Sequence, residues 1–118
     1  MILLVDDEAP VREAVVDILQ TLDLQVMTAA NGQDGLALFK QHQQAITAVL
    51  LDMHMPIMNG LETLAAIRQL NPTMPVILSS GYSEDDFFGN FRDGATVFLQ
   101  KPYNIDRLVA IVTAVIRN

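Results

Sequence analysis

Cysteine is absent from this 118-residue sequence, which excludes a disulfide scaffold and any thiolate metal site. Basic residues are few: 7 Lys and Arg against 14 Asp and Glu leave a formal net charge of −7. Such a surface repels phosphate backbones and anionic lipid, so direct contact with nucleic acid or a membrane is not expected. No apolar run approaches the roughly 20 residues needed to cross a bilayer. The longest mostly apolar stretch is Leu108 to Ile116, and the opening Met1-Ile2-Leu3-Leu4-Val5 runs into Asp6-Asp7-Glu8 without a basic n-region, so it does not read as a signal peptide. A soluble, cytoplasmic chain is expected. Linkers rich in Pro, Ser or Gly, internal repeats and low-complexity tracts are missing as well.

What is present is enough apolar material for one core. Hydrophobic residues make up 51% and charged residues 18%, far from the signature of disorder. One domain spanning 1–118 is expected, burying roughly two-thirds of the surface its unfolded chain would expose. Four short apolar runs punctuate it: Ile2-Leu3-Leu4-Val5, Ala48-Val49-Leu50-Leu51, Val76-Ile77-Leu78 and Val97-Phe98-Leu99. None alternates, which suits strands buried on both faces of a parallel sheet. A fifth, Gln25 to Ala29, alternates more and is expected nearer an edge.

Helical periodicity fills the intervals. From Pro10 to Leu22 the apolar residues Val11, Ala14, Val15, Ile18, Leu19 and Leu22 follow steps of three and four, and Pro10 suits a first helical turn. Gly32 to His42, Gly60 to Leu70 and Ile105 to Arg117 carry similar stripes, and a shorter helix is expected over Asp85 to Arg92. Five strand-then-helix repeats predict an α/β doubly wound sheet. Open sheets of this kind bind ligands beyond the carboxyl ends of their strands.

Chemistry concentrates at those ends. Asp6, Asp7 and Glu8 follow the first strand, Asp52 the third, Ser79-Ser80-Gly81 the fourth and Lys101-Pro102 the fifth. In a parallel sheet they converge on one mouth. Crowded carboxylates oppose their joint ionisation unless a cation intervenes, and oxygen ligands without thiolates suit a hard divalent ion such as Mg²⁺. Lys101 and Ser80 could then hold further anionic oxygens. An Asp nucleophile carrying an aspartyl phosphate fits this set, with Asp52 as acceptor and Asp6 and Asp7 as the metal pair. Each residue alone has an ordinary reading, because Asp after a strand also forms turns and complements helix dipoles. It is their joint occurrence at four strand ends that argues for a site. Met53, Met55 and Met58 read as packing rather than a soft-metal cluster; Phe87, Phe88 and Phe91 read as core or as a partner patch.

These residues carry a resemblance. The Leu-Val-Asp-Asp-Glu opening, Asp52-Met53-His54-Met55-Pro56-Ile57-Met58-Asn59-Gly60, Pro75-Val76-Ile77-Leu78-Ser79-Ser80-Gly81 and Phe98-Leu99-Gln100-Lys101-Pro102-Tyr103 together resemble the receiver domain of two-component response regulators. The resemblance implies a flavodoxin-like (βα)5 fold, a five-stranded parallel sheet in order 2-1-3-4-5 with helices on both faces. It makes Asp52 the phosphoacceptor, and Asp7, Asp52 and the His54 backbone carbonyl ligands of Mg²⁺ or Mn²⁺, with Asp6 acting through water. Ser80 and Phe98 become the switch pair and Lys101 the contact to the phosphoryl group, with Pro102 following through a peptide bond that is usually cis. His54 and Tyr82 become modulators of phosphoryl lifetime.

The implied partner is a sensor histidine kinase or a histidine phosphotransfer protein. A phosphorylation-dependent dimer could form through the face of the fourth helix, fifth strand and fifth helix. The chain would catalyse only its own phosphorylation and dephosphorylation. The wording around Ser80 and Lys101 is similar to receivers of hybrid sensor histidine kinases, so the chain is either a stand-alone receiver or one excised from a larger protein, cytoplasmic in both cases. A Mg²⁺-dependent phosphatase and a phosphorylation-independent interaction module are the alternatives; a flavodoxin-type cofactor binder is disfavoured because Asp6-Asp7-Glu8 would repel its phosphate.

Overall fold

The computed structural model describes residues 1–81 and 95–117. In chain order the elements are β1 (Ile2–Val5), α1 (Ala9–Thr21), β2 (Val26–Ala29), α2 (Gly32–His42), β3 (Ala48–Asp52), α3 (Gly60–Leu70), β4 (Val76–Ser80), β5 (Thr96–Gln100) and α4 (Ile105–Arg117). The helix expected over Asp85 to Arg92, and with it Tyr82, lies outside the described residues. The strands form one sheet in the order β2-β1-β3-β4-β5, every neighbouring pair parallel. Among the described residues this is the doubly wound sheet that the alternation of strands and helices predicts, in the flavodoxin-like strand order that the resemblance implies, with the more alternating β2 on an edge.

Unbroken apolar strands make sense because both faces of the sheet are covered. Leu3, Val5, Val49, Leu51, Val76, Leu78 and Phe98 point to one side, where Phe39 of α2 and Leu64 and Ile67 of α3 pack against them. Ile2, Leu4, Ala48, Leu50, Ile77 and Leu99 point to the other, against Val15 and Leu19 of α1 and Leu108 and Val112 of α4. The period of two along each strand sorts the residues between the layers, and the 3.6-residue period of each helix supplies the stripe that covers them.

Local chemistry sets the helix starts. Asn31 caps α2 by accepting from the Asp34 amide at 2.8 Å. Asn59 and Glu62 form a reciprocal capping box on α3, at 2.9 and 3.1 Å, which satisfies two amides that would otherwise lack partners. Asn104 accepts from the Arg107 amide at 2.8 Å at the start of α4. By contrast, Glu8 before α1 makes no side-chain cap. Gly60 is required by space: a Cβ there would lie 2.5 Å from the Asp52 carbonyl oxygen and 2.6 Å from Met53 Cα. The loop between β3 and α3 can therefore fold tightly back onto the strand end that carries Asp52.

Candidate functional site

Strand register decides which strand ends meet. Val5 pairs with Leu51, so Asp6 and Asp52 leave the sheet side by side. Asp52 pairs with Ser79 and Ser80 with Gln100, which places Lys101 just beyond Ser80. The ladder continues past the strands through Met53 N to Ser79 O at 2.8 Å, Lys101 N to Ser80 O at 2.7 Å and Asp6 N to Ala29 O at 3.1 Å. These bonds hold the functional backbone on the rigid edge of the sheet.

Three carboxylates gather there. Oxygen atoms of Asp6, Asp7 and Asp52 lie within 4.8 Å of one another. Asp6 and Asp52 are buried and Asp7 is exposed. Lys101 Nζ donates to Asp52 Oδ1 at 3.1 Å, and the His54 amide donates to the same oxygen at 3.3 Å. The set fits a hard divalent cation, with all-oxygen donors, an exposed member open to solvent and the backbone of His54 held beside Asp52.

Burial is the leading influence on both buried acids. It pushes the Asp52 carboxyl above its ordinary value, against the lowering effects of Lys101 and the His54 amide. Asp6 is likewise raised, first by burial, with the charge of Asp52 adding to it and the bond from the Glu8 amide opposing it. Burial alone would lower Lys101, but the neighbouring Asp52 and Asp6 carboxylates outweigh it and the net direction is upward. The ion pair thus favours the cation at Lys101, yet does not compensate Asp52. Burial opposes the charged form of each, but Lys101 gains from both the Asp52 and Asp6 carboxylates, whereas the gain of Asp52 from Lys101 is eroded by the Asp7 carboxylate. A further positive charge at this mouth would relieve both acids.

The remaining expected residues fall around this centre. Ser80 is fully buried at the end of β4, with Oγ 3.4 Å from His54 Nε2. Phe98 is buried on β5 in the layer beneath α2 and α3. The Lys101-Pro102 peptide is cis. Met53 is buried in the core with Met55 packed against it, so these two methionines pack, while Met58 is half-buried with its backbone against Gly32. Sequence reading overlooked Arg12, whose Nη1 donates to the Asp6 carbonyl at 2.7 Å. An Arg one turn into the helix after an acidic strand end was the available signal. It also overlooked Tyr103, whose hydroxyl is raised mainly by burial, with Lys101 opposing and Asp6 and Asp52 adding to it.

A family model described as response regulator receiver domain matches residues 2–113. This chain belongs to that family. As a receiver it is 35% identical over 116 residues to the transcriptional regulatory protein CpxR of Escherichia coli K12, covering 98% of this chain and 49% of that protein. It therefore spans about half the length of the curated relatives it matches. Among solved structures, the receiver domain of NtrX from Brucella abortus matches with a TM-score of 0.87 at 30% identity, covering 100% of this chain and 99% of that one. The CheX-CheY-BeF3-Mg complex from Borrelia burgdorferi matches with a TM-score of 0.89 at 28% identity, covering 97% and 87%. The receiver is thus a module of two-component signalling, and among its described residues no helix is long and apolar enough to cross a membrane.

Proposed function

We propose that this receiver accepts a phosphoryl group on Asp52 from a phosphohistidine of a sensor histidine kinase or a histidine phosphotransfer protein, and changes its output face in response. One observation carries the reading: the Asp52 carboxylate lies within 4.8 Å of the Asp6 and Asp7 carboxylates and 3.1 Å from Lys101 Nζ. Asp7, Asp52 and the His54 backbone carbonyl would hold Mg²⁺ or Mn²⁺, with Asp6 acting through water. When bound, the ion supplies neutralising charge to the carboxylates and the phosphoryl oxygens.

The chain's own residues do the rest. A carboxylate oxygen of Asp52 forms the new P–O bond as the P–N bond of the donor breaks, and the departing histidine nitrogen keeps the electron pair. Lys101 exchanges its bond to Asp52 for one to a phosphoryl oxygen, and the Ser80 hydroxyl donates to another. Phe98, on the strand that carries Lys101, then transmits the change. Water ends the phosphorylated state by attacking phosphorus: a new P–O bond forms as the bond to the Asp52 oxygen breaks, which releases inorganic phosphate and restores the carboxylate. His54 and Tyr82 set how long the acyl phosphate lasts. The receiver acts only on itself, is cytoplasmic or the cytoplasmic part of a hybrid kinase, and can dimerise through its output face. Its net charge of −7 disfavours direct contact with nucleic acid.

Incubation with radiolabelled acetyl phosphate tests the assignment. Labelling is expected with Mg²⁺, is lost with a chelator and is lost in Asp52→Asn. Undiminished labelling of Asp52→Asn would overturn it, and turnover of a generic phosphoester would favour a phosphatase instead.

A further inference from the structure

His54 is exposed at the mouth, yet its ring reaches a fully buried hydroxyl: Nε2 stands 3.4 Å from Ser80 Oγ. The backbone leading into His54 is pinned. The amide of Met53 donates to the Ser79 carbonyl at 2.8 Å and that of Gly60 to the Met53 carbonyl at 2.9 Å, while the His54 amide donates to Asp52 Oδ1 at 3.3 Å. Register contributes as well, because Asp52 lies opposite Ser79, so the chain leaves β3 level with Ser80 and His54 emerges beside that end of β4. The imidazole is therefore delivered to the hydroxyl by the sheet edge itself.

We infer that His54 is a positioning residue that acts through Ser80, holding its hydroxyl in the unphosphorylated chain so that a phosphoryl group on Asp52 must draw it from an existing partner. A serine has one O–H and a single χ1 that selects where the oxygen sits. A contact made in only one of two states biases their equilibrium by its own free energy. This inference rests on the reading of Asp52 as phosphoacceptor. It assigns the imidazole a task separate from that of the His54 carbonyl, which every side-chain variant retains.

Binding of beryllofluoride in the presence of Mg²⁺, followed by amide NMR on the whole chain, tests it. His54→Ala is expected to bind roughly two- to tenfold more tightly, the worth of one neutral hydrogen bond. His54→Phe keeps the bulk without the nitrogen and should follow His54→Ala, whereas His54→Gln restores a polar partner and should stay near wild type. In a Ser80→Ala background the gain from His54→Ala should vanish. An equal gain in both backgrounds would mean that His54 acts on the anion directly, and would overturn the inference. Unchanged or weaker binding by His54→Ala, or a Gln variant that behaves like Ala, would also overturn it. A folded wild-type chain that binds no beryllofluoride at all would instead remove the phosphoacceptor reading, and this inference with it.

Discussion

The two ends of the sheet handle polarity in opposite ways. At the amino ends of the strands, polar side chains bond to backbone and hydroxyl oxygens: Arg68 of α3 donates to the Met74 carbonyl at 2.6 Å and to the Thr96 hydroxyl at 2.8 Å. Nearby, the Thr47 amide and hydroxyl donate to the Met1 carbonyl at 2.8 and 3.1 Å. At the carboxyl ends, two buried acids share one partly exposed ammonium, and burial raises both of them. No buried side-chain polar atom among the described residues lacks a hydrogen-bond partner, so what sets the carboxyl ends apart is two acids held against the pull of burial rather than any missing bond. A fold keeps an uncompensated charge where a ligand of opposite sign belongs, and function is served there at some cost in stability.

The largest break in that contrast is expected from Gly60→Val. A side chain at this position meets the backbone of Asp52 and Met53 at 2.5 and 2.6 Å, so overpacking of about 1–3 kcal/mol or more is expected. Because the displaced backbone carries Asp52, the proposed acceptor, labelling by acetyl phosphate should fall together with the denaturant midpoint. Arg68→Ala should separate the two ends, costing about 1.5–3 kcal/mol for the lost bonds to a charged donor while labelling per folded molecule stays the same. Denaturant titration and labelling of the same sample check both variants, and a loss of labelling in Arg68→Ala would show that the ends are coupled.

A third prediction concerns pH. The Asp6 and Asp52 carboxyls both lie above the ordinary 3.8 in the folded chain, so the native state binds these protons more tightly than the unfolded state does. Their stabilising contribution is fully present below that ordinary value and is lost as pH rises through the raised folded values. Without divalent cation, Asp52→Asn and Asp6→Asn should each raise stability near neutrality, and the gain should shrink on acidification toward pH 4. Melting curves across pH check this, and Mg²⁺ should stabilise wild type more than either variant. The smallest effect is expected from Arg12→Ala, which frees the Asp6 carbonyl from a 2.7 Å bond. Mg²⁺ affinity measured by calorimetry should weaken by about threefold, within the range of one hydrogen bond.

Much of this architecture was legible before any coordinates. The unalternating runs Ile2 to Val5 and Ala48 to Leu51 are the cores of β1 and β3, and the stripes predict α2, α3 and α4 with the bounds observed. Both periodicities are local, because strand and helix geometry repeat within a few residues. β4 and β5 extend past their apolar runs to Ser80 and Gln100, since parallel pairing continues wherever backbone partners exist and does not depend on side-chain hydropathy. Arg12 illustrates what stayed hidden. Its role depends on a guanidinium turning back six residues onto a carbonyl, a path set by how α1 docks.

The sequence by itself determined which residue types stand at the strand ends and that a parallel, doubly covered sheet would bring them to one edge. Tertiary structure alone decided that Asp6 and Asp52 are buried while Asp7 is exposed, that Lys101 reaches Asp52, and that the His54 imidazole meets Ser80. The physical reason is range. Periodicity and turn chemistry act over a few residues, whereas burial, charge pairing and the 3.4 Å contact across 26 positions of chain exist only once register has aligned separate strands.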